Sequence, residues 1–264
     1  MRTLAILIFL VSCPPLHSQK YIVISSELDS TQSYTPQAVS VFDSVSAMTK
    51  TLESPSYSGH LFSHFSFDGK QWLAISQLND SVSTEMLISE TRPSAMIKDM
   101  WKDKMEITDI AFGQGHWIVY ARTNSGVQQV MAHTTEFNKI PELIQERWAE
   151  GYVVTHATYG QGAWALLFSK PLNEEHPLNG VAQVYSTIAG SYEEIQLKVE
   201  SRWKQGYAIT SIASSGNLWL IIGTRWPGIV SQQIVMAKSR DELLEVMYLL
   251  RQDRLVLTEL VALP

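Results

Sequence analysis

The stretch RWAEGYVVTHATYGQGAW, from Arg147 to Trp164, recurs in its own chain. Without gaps it falls on MWKDKMEITDIAFGQGHW at 100–117 and on RWKQGYAITSIASSGNLW at 202–219. Trp101, Trp148 and Trp203 align, as do Thr108, Thr155 and Thr210, and then Trp117, Trp164 and Trp219. A weaker copy, YSGHLFSHFSFDGKQW at 57–72, places Ser63 at the Thr position and ends on Trp72. The closing tryptophans at 72, 117, 164 and 219 are spaced by 45, 47 and 55 residues. Periods of this size specify a supersecondary unit that buries its apolar face only against neighbouring copies of itself.

Each copy has the same internal order. A β-branched and aromatic strand such as YVVTHATY leads into a tight glycine turn, and then into a strand that is apolar on both faces: WLAIS, WIVYA, WALLF or WLIIG. Unbroken apolar runs of this length suit a strand covered on both faces. A variable loop comes next, then a third strand, STEMLISE, VQQVMAH, VAQVYST or SQQIVMAK. The last piece, as in EFNKIPELIQERW and RDELLEVMYLLRQ, has apolar residues at helical spacing, and Asp241 with Glu242 suit a first turn.

The two ends fit the same scheme. KYIVISSE, starting at Lys20, matches a second strand with Tyr21 in the tryptophan place, PQAVSVF reads as a third strand and SAMTKTLES as a short helix. LVLTELVALP at 255–264 supplies the missing first strand, with Thr258 at the Thr position. A terminal apolar strand has to pair with something, and pairing it with the N-terminal unit removes a free edge. The expected fold is therefore mainly β with short helices: a five-unit propeller-like ring of β-β-β-α repeats closed by the C-terminal strand. Its units run over about 20–56 plus 255–264, 57–104, 105–151, 152–206 and 207–254. An open solenoid is the alternative, and it would call for polar capping repeats that neither end provides.

The pattern Trp-x-x-Gly-Tyr-x-(Ile/Val)-Thr, then Gly-x-Gly-x-Trp, then a glutamine-bearing strand resembles a poorly characterised repeat family of secreted bacterial proteins and of the C-terminal region of plant casein-kinase-one-like kinases. The fourth unit carries it through Trp148, Gly151, Tyr152, Thr155, Gly160, Gly162, Trp164 and Gln183. The second unit departs from it, with Ser56 at the first Trp position and His60 at the Tyr position. The resemblance implies no catalytic residues, and the chain has no kinase motif.

Composition narrows the partners and the address. Apolar residues make up 45% and charged residues 17%, a globular balance. A net charge of -6 without any basic run argues against nucleic acid. Arg2 followed by LAILIFLV reads as a secretion signal over 1–19, too short to span a bilayer, and no other segment is transmembrane. Two exits are open: cleavage after LHSQ, releasing a chain that starts at Lys20, or lipidation of Cys13 in LVSC, which would give a lipid anchor. Either way the expected location is extracytoplasmic, whether secreted, periplasmic or on the outer membrane. Cys13 is the sole cysteine, so the folded part has neither disulfide nor free thiol.

Candidate site residues are few. GQGHW and GQGAW lead into strands rather than helices, so their glycines serve hairpin turns and not phosphate. The repeated tryptophans read as packing, whereas Trp226, in the insertion GTRWPGIV, is a loop aromatic of the kind that binds partners. The loop SKPLNEEHPLNG adds His176. The repeated Thr is expected to bond the backbone of the neighbouring unit, and Gln37, Gln129, Gln183 and Gln233, with Glu85, to satisfy backbone between units. The position after the Thr varies: Glu259, His64, Asp109, His156 and Ser211 in ring order. If the first strands line a channel these five approach one another, and two imidazoles with two carboxylates suit a divalent metal or acid–base work. The alternative is that they face different ways. No familiar enzyme, metal or cofactor motif is present. The expected function is a non-catalytic secreted or envelope-associated protein that binds a protein or glycan partner through loops on one rim. The rivals are a polysaccharide hydrolase using Asp109 and Glu259, and a structural envelope component.

Overall fold

A strand that is apolar on both faces needs another layer on each side, and this demand organises the molecule. The computed structural model describes residues 20–29, 34–52, 59–78, 85–123, 126–226 and 228–263; residues 1–19, where the secretion signal and the lipidation of Cys13 are expected, lie outside them. The elements begin with β1 (Lys20–Leu28), β2 (Gln37–Phe42), α1 (Val45–Leu52), β3 (His60–Phe67) and β4 (Trp72–Leu78). Next come β5 (Glu85–Glu90), α2 (Ser94–Lys102), β6 (Met105–Gly113) and β7 (His116–Thr123). They continue with β8 (Val127–Thr134), α3 (Ile140–Ala149), β9 (Val153–Gly160) and β10 (Ala163–Pro171), then β11 (Gln183–Ala189), α4 (Tyr192–Lys204), β12 (Ala208–Ser215) and β13 (Leu218–Thr224). The last are β14 (Ile229–Ala237), α5 (Arg240–Gln252) and β15 (Val256–Leu263).

The fold is mainly β, and the described residues form five short α-helices and five three-stranded antiparallel sheets. Their orders are β2-β4-β3, β5-β7-β6, β8-β10-β9, β11-β13-β12 and β14-β1-β15. Hydrogen bonding thus groups the strands one step out of phase with the sequence units. The third strand of each unit joins the sheet of the next, so a sheet spans 127–171 rather than 105–151. The reason is geometric. In the sheet β8-β10-β9 both outer strands run antiparallel to β10 and hence parallel to each other. Parallel strands need a crossover, and α3 is that crossover. The same holds for α1, α2, α4 and α5. In the fifth sheet the middle strand is β1, so the two ends of the chain meet: Ile22 pairs with Val261 on one edge and Met236 on the other.

The middle strands β1, β4, β7, β10 and β13 are buried on both faces, and their alternate residues feed different cores. Leu73 and Ile75 pack with Tyr21 and Val23 of β1. Trp72 and Ala74, one residue out of step, pack with Ile118 and Tyr120 of β7. Val119 and Ala121 meet Ala165 and Leu167 of β10, whose Leu166 and Phe168 meet Leu220 and Ile222 of β13. Trp219 and Ile221 of β13 meet Ile22 and Ile24 of β1. The first strands also contact one another: β3 lies against β6, β6 against β9, β9 against β12, β12 against β15, and β15 against β3. These approaches are close, and a Cβ on Gly160 of β9 would overlap the Phe112 side chain of β6.

Two of the closing tryptophans tie sheets together at their ends. Trp72 Nε1 donates to Gln114 Oε1 at 3.3 Å and Trp117 Nε1 to Gln161 Oε1 at 3.2 Å, both acceptors sitting in the next sheet's hairpin turn. Tyr21, in the tryptophan place of β1, donates its hydroxyl to Asp68 of the β3–β4 turn at 2.7 Å. Each helix packs a short apolar stripe inward, as α5 does through Leu243, Met247 and Leu250. Ser191 and Glu194 form a reciprocal capping box on α4, and Ser239 caps α5.

Deleting residues 255–264 removes β15, with buried Leu257, Leu260 and Val261. Three such side chains are worth roughly 5 kcal/mol, so the thermal midpoint should fall by about 10 °C or more. A truncated chain that melts with the full-length protein would show that the β1–β15 pairing carries no stability.

Candidate functional site

Every first strand contains a β-bulge, and the skipped residue is the repeated Thr or its equivalent: Ser63, Thr108, Thr155, Thr210 and Thr258. A bulge breaks the alternation of side chains and re-aims the residue after it. In each strand that residue is one of the five variable ones, and all of them are buried: His64, Asp109, His156, Ser211 and Glu259. The Thr hydroxyls stay within their own sheets instead of reaching the neighbouring one. Thr210 Oγ1 lies 2.7 Å from Thr224 Oγ1 of β13, and Thr258 Oγ1 donates to the Ile24 carbonyl of β1 at 3.1 Å. The bulge leaves local main-chain groups for these hydroxyls to bond, so the neighbouring sheet is held by other side chains.

Those side chains are the five residues themselves, and they obey one rule. Each bonds the backbone of the preceding first strand at the residue just after that strand's own variable position. Asp109 Oδ2 accepts from the Phe65 N–H at 2.6 Å, Ser211 Oγ accepts from the Ala157 N–H at 3.0 Å, and Glu259 accepts from the Ile212 N–H. The imidazoles take the carbonyl instead: His64 Nε2 donates to Leu260 O at 2.6 Å and His156 Nε2 to Ile110 O at 2.8 Å. Acceptor side chains capture an N–H and donor side chains a C=O, as their chemistry requires.

A second set of clamps runs in the same direction. Gln129 accepts from the Ile107 N–H at 2.8 Å and donates to the Ile107 carbonyl at 2.9 Å. Gln183 does the same to Val154, Gln37 to Leu257 and Gln232 to Ile209. The target is always the residue before the bulged one. At the β3 to β6 junction the side chain of Glu85 lies outside the described residues, and the Phe62 N–H donates to the Tyr120 hydroxyl at 3.3 Å. Gln232, not Gln233, is the clamp in β14, because adjacent strand residues face opposite ways and only one of the two meets the neighbouring sheet. Trp101, Trp148 and Trp203 each donate an indole N–H to a clamp oxygen, on Gln129, Gln183 and Gln232 respectively. Helix-end tryptophans thus orient the glutamines.

Three of the five candidate residues converge further. Asp109 Oδ1 stands 3.2 Å from His156 Nδ1 and 3.7 Å from His64 Nδ1, and the two rings are 6.3 Å apart. Asp109 is 1% exposed and Glu259 4%. Asp109 Oδ1 and Glu259 Oε2 are buried and accept no hydrogen bond from any described residue; His156 Nδ1 is within ion-pair distance of Oδ1 but off the hydrogen-bond direction. Among the described residues, no three His, Cys, Asp or Glu side chains already surround a common point. Burial lowers the His64 imidazole below its ordinary value, against the pull of Asp109. Burial raises the Glu259 carboxyl well above its ordinary range, and the Asp109 charge adds to the effect.

Cavities lie on both sides of this belt. One of about 110 Å³ is bounded by His64 and His156 and by strand residues beyond them, among them Ser66, Ala111, Thr158 and Ser214. The other, about 270 Å³, is bounded by residues that precede the belt, namely Val154, Thr155, Ile209, Thr210 and Thr258, together with Leu178, Gln183, Thr224, Trp226 and Ile229. Trp226 is half-buried and packs with Leu178, Val127, Val153 and Val181. His176 stands apart from the belt, and its Nδ1 accepts from the Leu178 N–H at 3.1 Å, shaping the loop that carries Leu178.

The two shifted groups make opposite contributions to stability. Folded Glu259 keeps a proton that the unfolded chain loses near 4.5, so it costs stability as pH rises above that value. Folded His64 refuses a proton that the unfolded chain binds near 6.5, so it costs stability as pH falls below that value. Replacing Glu259 by Gln keeps an acceptor for Ile212 and removes the first cost. In chelator-treated buffer, Glu259→Gln should raise the melting midpoint by several degrees at pH 8, where 1 kcal/mol is roughly 2–4 °C, and the gain should shrink at pH 4.5. An equal gain at both pH values, or a loss at pH 8, would contradict this assignment.

A profile described as a domain of unknown function (DUF7477) matches residues 64–179, which begin at His64 and run through Asp109 and His156 into the loop that carries Leu178. No curated protein matches the chain.

Proposed function

We propose that the five sheets are the blades of a five-unit propeller-like ring, exported from the cell, that works as a non-catalytic binding scaffold. The succession of contacts from β3 through β15 and back to β3, and the five shared cores, support the ring. The resemblance to secreted repeat proteins and the apolar segment after Arg2 support export. Among the described residues no helix is long and apolar enough to cross a membrane.

The observation that carries the binding reading is the cavity beneath Trp226 and Leu178. Val154, Leu178, Ile209, Trp226 and Ile229 give it apolar walls, and the Thr and Gln side chains between them are already bonded within the protein: Thr210 with Thr224, Gln183 with Val154 and Thr224, Thr155 with Ser169, and Thr258 with the Ile24 carbonyl. A sugar needs free donors and acceptors, whereas an apolar side chain needs only such a pocket. The geometry therefore favours a protein partner that inserts an apolar residue beside the longest loop. Asp109 and Glu259 are closed off from any polymer and occupied in holding strands, which disfavours the hydrolase reading.

A photo-crosslinking residue at position 225, in producing cells, should give a discrete protein adduct that Leu178→Asp abolishes. The same probe at exposed Leu197 on α4 should give none. Identical adducts from both positions, or an adduct indifferent to Leu178→Asp, would dismiss the cavity as the recognition point.

A further inference from the structure

We propose that the segment of the partner protein seated here is extended and acidic, with two apolar side chains two residues apart that straddle Leu178 and carboxylates that reach Lys170 and Arg225. This deepens the binding reading above and rests on it. The cavity beneath Trp226 has a neighbour of about 340 Å³, bounded by Trp148, Tyr152, Val153, Pro171, Asn179 and Val181. Leu178 and Gln183 belong to the walls of both cavities. The loop that carries Leu178 is tied at its two ends: the Leu172 N–H donates to the Gly126 carbonyl at 2.8 Å, and the Ala182 carbonyl accepts from the Arg225 N–H at 2.9 Å. Trp148 spends its indole N–H on Gln183, so it too offers the second cavity apolar surface. Exposed apolar surface continues beside each cavity: Leu172, after Pro171, is 66% exposed, and Val230, after Ile229, is 62% exposed. Two apolar cavities divided by one leucine take two apolar side chains. An extended chain places residues i and i+2 on one face about 7 Å apart, which spans one intervening side chain.

Charge then selects among apolar partners. Lys170 precedes Pro171 of the second cavity, and its ammonium lies 5.7 Å from the centre of the Tyr152 ring. Arg225 precedes Trp226 of the first, and its guanidinium lies 4.9 Å from the centre of the Tyr207 ring. Lys170 Nζ donates to the Glu150 carbonyl at 2.8 Å, a neutral acceptor, while the Glu150 carboxylate is taken by Arg147. Among the described residues neither cation is in an ion pair; the pairs that form belong to His64, Lys102, Lys139, Arg147 and His156. The net charge of -6 does not offset these two cations, because exposed charges farther than a Debye length of about 8 Å are largely screened. A cation without a carboxylate beside each apolar cavity complements a segment whose apolar residues are flanked by acids. The two cations act separately, so removing one weakens the attraction without abolishing it.

The test selects a phage-displayed library of random eight-residue peptides on the purified full-length chain and measures the best binders by fluorescence anisotropy. Enriched peptides should carry two apolar residues separated by one position, with Asp or Glu beside them. Lys170→Gln should weaken such a peptide about two- to fivefold and relax the preference for acids, while Lys139→Gln at the other end of α3 should change nothing. On the wild-type chain, raising salt from 0.05 to 0.5 M should weaken acid-bearing peptides more than their Asn and Gln counterparts, a readout that needs no variant to fold. Enriched peptides with a single apolar residue, with apolar residues at helical spacing, or with no acid preference would overturn the proposal. So would a selection that enriches nothing. The crosslink from position 225 then separates the two readings: a discrete adduct sensitive to Leu178→Asp keeps the protein partner and discards only this form of it, and the absence of that adduct discards both.

Discussion

A β-bulge frees main-chain groups that must be satisfied, and in this protein they are satisfied by side chains from the next sheet. That exchange underlies the rest of the structure. At four of the five bulges the residue before the bulge offers both its N–H and its C=O to a glutamine amide, as Ile107 does to Gln129. Two residues beyond the bulge, an N–H or a C=O goes to the neighbouring His, Asp, Ser or Glu. A net 0.5–1.5 kcal/mol for each such bond is modest. Leaving the group buried and unpaired costs about 1–3 kcal/mol, so the bonds fix which arrangement of sheets is tolerated more than they add stability. Apolar burial between middle strands supplies the driving force, and the clamps supply the register.

The same device explains why the five positions vary in chemistry and not in burial. Any side chain that accepts an N–H or donates to a C=O holds the strand. Asp109, Ser211 and Glu259 do the first, and His64 and His156 the second. Their remaining atoms are then free to differ, and three of them meet at the core of the belt. The clamps thereby hold two imidazoles and a carboxylate side by side in fixed orientation.

Much of this was legible in the sequence. The repeat gave the strand order, the all-apolar middle strands and the pairing of LVLTELVALP with KYIVISSE, since each stems from spacing and from apolar faces that need a cover. The glutamines were legible as inter-unit bonds because they recur on otherwise apolar strands. The phase of the sheets was not legible: hydrogen bonding across a variable loop leaves no mark on periodicity, and the parallel relation of β8 and β9 emerges only from the pairing. Nor did the alignment separate Gln232 from Gln233, adjacent residues on opposite faces. The role of the Thr was missed for a related reason. A bulge residue looks like any other strand residue in a sequence, yet it is what turns His64, Asp109, His156, Ser211 and Glu259 inward. Trp226 stood out as an insertion aromatic, but its partner Leu178 lies in a loop with no repeating pattern to mark it.

The most direct test of side-chain clamping is native-state amide exchange measured residue by residue by NMR. The N–H groups of Phe65, Ala157 and Ile212, and of Ile107, Val154 and Ile209, are bonded by side chains of a neighbouring sheet. They should exchange solely through global unfolding, as slowly as the middle-strand amides of β7 and β10. Exchange at the rate of the 172–182 loop would show that the side-chain clamps are open in solution, and that something else joins the sheets.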